Sequence, residues 1–87
     1  IKDNSLVRVY PNPCKDIVIV DLKEKFNVPL ILTIYNSLGQ VVYIKQSANE
    51  EQITLNLSGL PSGVFLLTLS NPNEHIFKEE KIIIEQK

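Results

Sequence analysis

Few side chains in this sequence could do chemistry: one cysteine (Cys14), one histidine (His75) and two adjacent acidic pairs (Glu50-Glu51 and Glu79-Glu80). Nucleophilic and general-base catalysis need a second group that activates the first, and neither Cys14 nor His75 has such a partner in the sequence pattern. Neighbouring residues of a strand point to opposite faces, so Glu79 and Glu80 cannot converge on one substrate. We therefore expect Cys14 to be a small, partly buried apolar residue and His75 to be inert, and we predict no catalytic residues and no enzymatic activity.

Composition excludes several other kinds of site. A single cysteine cannot close a disulfide within the chain, and with one histidine it cannot form a zinc site of the usual spacing. The formal net charge is -1 and neither sign forms a dense block, so nucleic acid is not an expected partner. Apolar runs such as residues 64–67 and 82–84 are far short of the roughly 20 residues that a membrane helix needs. We predict no cofactor, no metal and no membrane span.

Alternating apolar residues indicate the elements that must position any site. Ile53, Leu55 and Leu57 alternate with polar residues, which is typical of a strand with one buried face. Prolines at 11, 13, 29, 61 and 72 would interrupt most helical stretches. The pattern predicts seven strands: 6–10, 17–22, 30–35, 41–45, 53–57, 64–70 and 75–85.

Seven short strands in 87 residues predict an all-β fold, an immunoglobulin-like antiparallel β-sandwich with little or no helix. Strands 30–35 and 41–45 should form a hairpin, because the linking Ser37-Leu38-Gly39-Gln40 is short and contains a glycine. The chain has no tryptophan and no second cysteine, so a resemblance to antibody domains would be architectural only.

Two proline-containing turns separate the strands. In Tyr10-Pro11-Asn12-Pro13 the prolines push the preceding residues into extended geometry, and the Asn12 side chain is expected to cap neighbouring backbone groups. In Leu60-Pro61-Ser62-Gly63, Pro61 suits the second position of a tight turn, Gly63 suits a positive φ, and Leu60 can anchor the turn in the core. Taken singly, these residues and Gly39 are expected to be structural.

Taken together, the order and spacing of these strings are more specific. They run from Val9-Tyr10-Pro11-Asn12-Pro13 through residues 34–42 and 57–65 to Lys81-Ile82-Ile83-Ile84. The whole chain resembles a type A C-terminal sorting domain of the type IX (Por) secretion system of Bacteroidetes. It departs from the family at Phe65, where tyrosine is frequent, and at Cys14, where a small polar residue is common.

The resemblance implies a secretion signal that ends a larger exported protein. Its implied partners are the type IX outer-membrane translocon, periplasmic or outer-membrane shuttle proteins, a sortase-like peptidase and the cargo in the same chain. The peptidase would remove the domain and can join the cargo to a surface lipopolysaccharide anchor. The implied route runs through the periplasm to the cell surface or beyond. Residues 1–5 fit the end of a linker from the cargo, and residues 6–87 fit the sorting domain.

The last strand is the candidate recognition element: Lys81, Ile82, Ile83, Ile84 and Glu85. Alternation places Ile82 and Ile84 on one face and Ile83 on the other, so a large apolar side chain is either covered or available to a partner. An unpaired edge or an exposed face of this strand could dock on the translocon, by hydrophobic contact or by strand addition.

Two alternatives belong to other classes of protein. One is a noncatalytic accessory β-sandwich of the fibronectin type III or carbohydrate-binding kind, which would need aromatic rings aligned on one face to stack sugars. The other is an adhesion or assembly module, which would need a large self-complementary face.

Overall fold

The computed structural model describes residues 7–22, 29–48, 50–71 and 76–85. Within these ranges the chain forms seven strands and no helix, which confirms the predicted all-β fold. The strands are β1 (Arg8–Tyr10), β2 (Ile17–Asp21), β3 (Leu30–Tyr35), β4 (Val41–Ser47), β5 (Gln52–Asn56), β6 (Gly63–Ser70) and β7 (Ile76–Ile84). The bounds of β3 are as predicted, and those of the other strands differ from the predicted ones by at most two residues at either end.

Two antiparallel sheets form the sandwich. The three-stranded sheet has the order β1-β2-β5 and the four-stranded sheet has the order β4-β3-β6-β7. In an extended strand alternate side chains point to the same face, so the apolar residues of each strand can reach one core. Val18 and Val20 of β2 are fully buried, and Ile53 and Leu55 of β5 are buried beside them. The alternation read from β5 therefore predicted the correct buried face.

The four-stranded sheet supplies the opposite wall of the core. Leu32 and Ile34 of β3 and Leu67 and Leu69 of β6 are fully buried. The predicted hairpin between β3 and β4 is confirmed, with antiparallel pairing and a register shift between Ile34 and Tyr35. The face of this sheet that points away from the core is called the outer face below.

At each side of the sandwich, an edge strand of one sheet lies near an edge strand of the other sheet, and hydrogen bonds join the two sheets there. On one side, Lys45 of β4 donates a hydrogen bond from Nζ to the carbonyl oxygen of Thr54 in β5 at 3.0 Å. On the other side lie the edge strands β1 and β7, and the segment between β1 and β2 contacts β7. This second contact determines what the last strand presents to a partner.

Candidate functional site

The candidate recognition residues divide between the two faces of β7. Ile82 and Ile84 are buried in the core, with 0% and 1% of their surface exposed. Ile83 is half-buried on the outer face, whereas Lys81 and Glu85 are exposed. Alternation correctly separated Ile83 from its neighbours, and the packing of the two sheets determined which face lies inward. The candidates available to a partner are therefore Lys81, Ile83 and Glu85.

Apolar side chains of β6 lie beside Ile83 on the outer face. Val64 is the cross-strand neighbour of Ile83, and Leu66 is the cross-strand neighbour of Lys81. Val64 is 49% exposed and Leu66 is 37% exposed. Cross-strand neighbours share a face of the sheet, so Val64, Leu66 and Ile83 form one apolar patch. Farther along the same face, Ile44 on β4 is 60% exposed.

The edge of β7 is occupied by residues 12–14, here called the clasp segment. The Asn12 side chain donates from Nδ2 to the Lys81 carbonyl oxygen at 2.7 Å and accepts at Oδ1 from the Ile83 amide at 3.0 Å. The Cys14 amide donates to the Ile83 carbonyl oxygen at 2.9 Å, and the Glu85 amide donates to the Cys14 carbonyl oxygen at 2.8 Å. Cys14 and Ile84 form a parallel bridge.

These contacts correct two expectations. Asn12 was expected to cap neighbouring backbone groups, but its partners lie 69 and 71 residues away in the sequence. The expectation of an unpaired edge is also wrong for residues 81–85, because the clasp segment covers it. The first error arises because a short polar side chain can satisfy any backbone group that the fold brings near it. The second arises because local sequence does not specify which distant segment the fold places along a strand edge.

Cys14 is buried, with 3% of its surface exposed, and it packs among the core side chains. Burial raises the pKa of its thiol and the nearby Asp16 carboxylate raises it further, against a smaller opposing effect of a backbone hydrogen bond. A thiol with a raised pKa is mostly protonated near neutral pH and therefore reacts slowly. The residue behaves as the small apolar side chain that the sequence predicted, and its burial is more complete than expected.

The remaining motif residues form turns. Asn36 organises the turn around Gly39: its Oδ1 accepts from the amides of Leu38 and Gln40 at 2.9 and 3.0 Å. Gly39 has φ +82°, as its place in a short hairpin predicts. The role of Asn36 was missed, although an asparagine shortly before a glycine is a turn signal.

The turn at residues 57–63 contains a backbone hydrogen bond and an apolar anchor. The Leu60 amide donates to the Leu57 carbonyl oxygen at 2.9 Å, and the half-buried Leu60 side chain packs against the core. Pro61 is exposed, and Gly63 has φ +157°. At the other motif, Pro11 and Pro13 are exposed and follow cis peptide bonds, and Arg8 stacks over the Tyr10 ring at 5.2 Å. These motif residues shape turns or support strand ends.

The acidic pairs do not gather into a site. Glu79 is exposed, while Glu80 forms an ion pair with Lys78 at 3.4 Å. Glu50 accepts a hydrogen bond from Ser47. His75 lies outside the described residues. In the described ranges, no group of three or more His, Cys, Asp or Glu residues could hold a metal ion. In the same ranges, no helix is suited to cross a membrane.

The aromatic rings of the described side chains do not line up on one exposed face. Tyr10 is paired with Ile19 on the three-stranded sheet, and Tyr35 is paired with Leu66 on the outer face of the other sheet. Tyr43 packs against the core and Phe65 is buried in it. The aligned rings that a carbohydrate-binding face would need are therefore not found among them. The side chains of Phe26 and Phe77 lie outside the described part.

Comparison with known proteins agrees with both the fold and the resemblance. No curated protein matches the chain. One solved structure, a protein of the DUF3244 family with an immunoglobulin-like β-sandwich fold from Bacteroides vulgatus, superposes with a TM-score of 0.76 at 14% sequence identity. The match covers 94% of this chain and 87% of that one. At this identity the similarity confirms the immunoglobulin-like fold alone.

The family comparison is more specific. The model of the secretion system C-terminal sorting domain matches residues 8–85, from the first residue of β1 to the residue after β7. The match includes all seven strands and the turns at residues 10–13, 37–40 and 60–63. Sorting signals of this kind mark proteins for export to the cell surface or the extracellular space, which involves the secretion machinery and a cargo in the same chain. The chain therefore belongs to the family of secretion system C-terminal sorting domains, which give type IX substrates their C-terminal secretion signal.

Proposed function

We propose that the type IX translocon and its shuttle proteins recognise this chain as a folded β-sandwich and that the chain acts only as a signal, without catalysis of its own. The family match carries this proposal, because it includes every strand and turn that the structure describes between residues 8 and 85. The route leads through the periplasm to the outer-membrane surface, where a sortase-like peptidase separates the domain from its cargo. The same peptidase can transfer the cargo to a lipopolysaccharide anchor.

The cleavage site is assigned to the segment that precedes β1. A peptidase needs an extended, accessible chain, and such chains occur outside the hydrogen-bonded strands of a sandwich. β1 is an edge strand of three residues, paired on one side with β2. A strand this short at the edge of its sheet suits the beginning of a domain, which supports residues 1–5 as the end of a linker and residues 6–87 as the sorting domain.

Recognition is assigned to the outward side of the last strand. Lys81, Ile83 and Glu85 lie at the surface, and the exposed Val64 and Leu66 extend the apolar area around Ile83. Apolar area bordered by charges suits a protein partner, since burial provides affinity and the charges orient the contact. Ile82 and Ile84 contribute through the core that holds the strand in place.

A reporter fusion tests the function. The chain is joined to the C-terminus of a fluorescent protein that carries an export signal, and the fusion is produced in a Bacteroidetes cell with and without a working type IX translocon. We expect surface or extracellular fluorescence only in the cell with the translocon, and a shortened reporter where the domain has been removed. Retention of the fusion in the periplasm of both cells would refute the proposal.

A pair of substitutions on one face tests the recognition residues. Ile83→Gln removes apolar area from the proposed surface, and Ile44→Gln removes it from the same outer face at β4, far from β7 in the strand order. We expect Ile83→Gln to lower export of the fusion and Ile44→Gln to leave it unchanged. Urea unfolding of both purified domains serves as the control for folding. Equal export of the two variants would exclude Ile83 as a recognition residue.

A further inference from the structure

We infer that the edge of β7 from residue 81 to residue 85 is a strand-addition site, which the clasp segment closes in the free domain and which an extended peptide of the secretion machinery occupies during export. The inference rests on the proposed function, because it takes the partner from there. It adds the mode of binding and a closed state that binding must open.

The clasp segment forms the hydrogen bonds with the edge of β7 that an added strand would form. A strand that joins a sheet edge supplies amide donors and carbonyl acceptors to the outward backbone groups of its neighbour. Here the Asn12 side-chain amide contacts the Lys81 carbonyl oxygen and the Ile83 amide, as a peptide group would. The Cys14 backbone contacts the Ile83 carbonyl oxygen and the Glu85 amide. The same backbone groups of β7 would bind a peptide from another protein.

The contacts of the clasp segment also indicate the direction in which a replacing peptide would run along β7. Cys14 and Ile84 are bridge partners in the parallel sense. A replacing peptide therefore runs parallel to β7, with an amide toward the Ile83 carbonyl oxygen and a carbonyl oxygen toward the Glu85 amide. Its side chains on one face would lie beside Ile83, so that strand addition and contact with the outer-face patch become parts of one interface.

The clasp segment is built to be displaced more readily than a regular strand. Both Asn12 contacts are exposed to water, which competes for them. One of the two pairing groups is a side chain, which can rotate away without moving the backbone. A longer peptide offers backbone pairing on both sides of the present contact. Cys14 resists displacement, because it is buried and would have to leave the core.

A reversible lock tests whether the edge must open. Ile84→Cys places a second thiol opposite the native Cys14, and neighbouring strands lie about 4.8 Å apart, within the range that a disulfide bridges. The oxidising periplasm allows the bond to form. The control is Ile84→Cys combined with Cys14→Ala, which makes the same change to the last strand without a bond. Export of both reporter fusions is measured, with the disulfide verified by a gel shift on reduction.

We expect export of the locked fusion to fall at least tenfold below that of the control, while both purified domains unfold cooperatively in urea. Export of the locked fusion at the control's rate would overturn the inference. Failure of the unmodified chain to be exported would instead overturn the proposed function, so the two failures are distinguishable.

A second measurement needs no change to the core. The unmodified domain is incubated with a synthetic peptide of residues 9–16 in which Cys14 is replaced by serine, and alkylation of Cys14 is followed by mass spectrometry. A peptide that takes the edge releases the clasp segment and exposes the thiol. We expect the alkylation rate to rise and saturate with this peptide, and to stay constant with a peptide that also carries Asn12→Ala. A rate independent of both peptides would overturn the inference.

Discussion

At the residue scale, Asn12 combines two roles that the sequence does not distinguish. It lies between Pro11 and Pro13 in a motif that looks like a local bend, yet its side chain joins the beginning of the domain to its last strand. An asparagine suits this position because one amide group both donates and accepts, which matches a backbone carbonyl and a backbone amide on the same strand edge.

Replacing Asn12 by alanine removes both contacts with the last strand. Because the two hydrogen bonds are exposed and water can replace them in part, we expect the free energy of unfolding to fall by about 1 kcal/mol. Urea denaturation measures the change. Asn56→Ala is the matched control, since it removes an exposed contact to the Ser58 amide and leaves β7 untouched. Alkylation of Cys14 should accelerate in Asn12→Ala alone; an equal rate in both variants would contradict a specific clasp.

Because of the buried Cys14 thiol, we expect the domain to lose stability in alkaline solution. Burial raises its pKa in the folded state, so above about pH 8.5 the unfolded chain loses the thiol proton before the folded chain does. The folded state then binds more protons than the unfolded state, and the free energy of unfolding decreases as pH rises through this range. Thermal unfolding between pH 7 and 10 should show a steeper decrease for the native chain than for Cys14→Ala. Parallel curves would show that the thiol does not contribute.

At the scale of the elements, β7 contributes side chains both to the core and to the outer face of its sheet. Its inward residues complete the core, and its outward residues are the recognition candidates. Alternation forces this division on any strand, so substitutions at adjacent positions should affect different properties. In the isoleucine run, Ile82 and Ile84 therefore belong to the core and Ile83 belongs to the outer face.

Adjacent alanine substitutions test this division. Ile82→Ala should lower the free energy of unfolding by about 2–5 kcal/mol, because it leaves a cavity at a fully buried position. Ile83→Ala should cost less, because its side chain is only half-buried. Chemical denaturation of the two variants gives the comparison. Equal costs would mean that β7 does not have the observed facing.

The β3–β4 turn depends on a single glycine. Gly39 has φ +82°, and a side chain there costs roughly 1–2 kcal/mol through contact with the backbone. We expect Gly39→Ala to lower the denaturation midpoint, whereas Gly59→Ala should change it little: an added Cβ meets no atom within 4 Å at either glycine, but of the two only Gly39 has a left-handed φ. Identical midpoints for the two variants would argue against a left-handed backbone at Gly39.

At the scale of the whole molecule, the two ends of the described chain depend on each other. The clasp segment follows β1, the first strand, and it is bonded to β7, the last. The Lys45–Thr54 contact joins the sheets at the opposite side. A small sandwich has a small core, so contacts that join the two sheets at its sides add to the stability of the whole domain.

Deletion of residues 81–87 should abolish the cooperative unfolding transition. The deletion removes the buried Ile82 and Ile84, worth roughly 1.5–3 kcal/mol each, from a domain whose total stability is of order 5–15 kcal/mol. It also leaves the clasp segment without its partner. Circular dichroism during urea denaturation measures the outcome. A retained cooperative transition would show that the last strand is dispensable for folding. If it is lost, export of the truncated chain reports folding as well as recognition, which is why point substitutions are needed.

The sequence by itself determined the strands, the hairpin and the family. Period-two alternation in stretches such as Ile53-Thr54-Leu55 is a local property of an extended backbone, and turns such as the one at Gly39 depend on a few consecutive residues. The order of these signals along the chain was enough to indicate a sorting domain, which the match over residues 8–85 confirms.

Only the tertiary structure decided what the last strand presents. Alternation showed that Ile83 faces away from Ile82 and Ile84, but the face that is buried depends on the second sheet. The pairing of Asn12 with residues about 70 positions away, and the burial of Cys14 beside Ile84, likewise depend on how distant strands pack. Contacts between neighbours in sequence follow from backbone geometry, whereas contacts across the sandwich exist only once both sheets have assembled around their shared core.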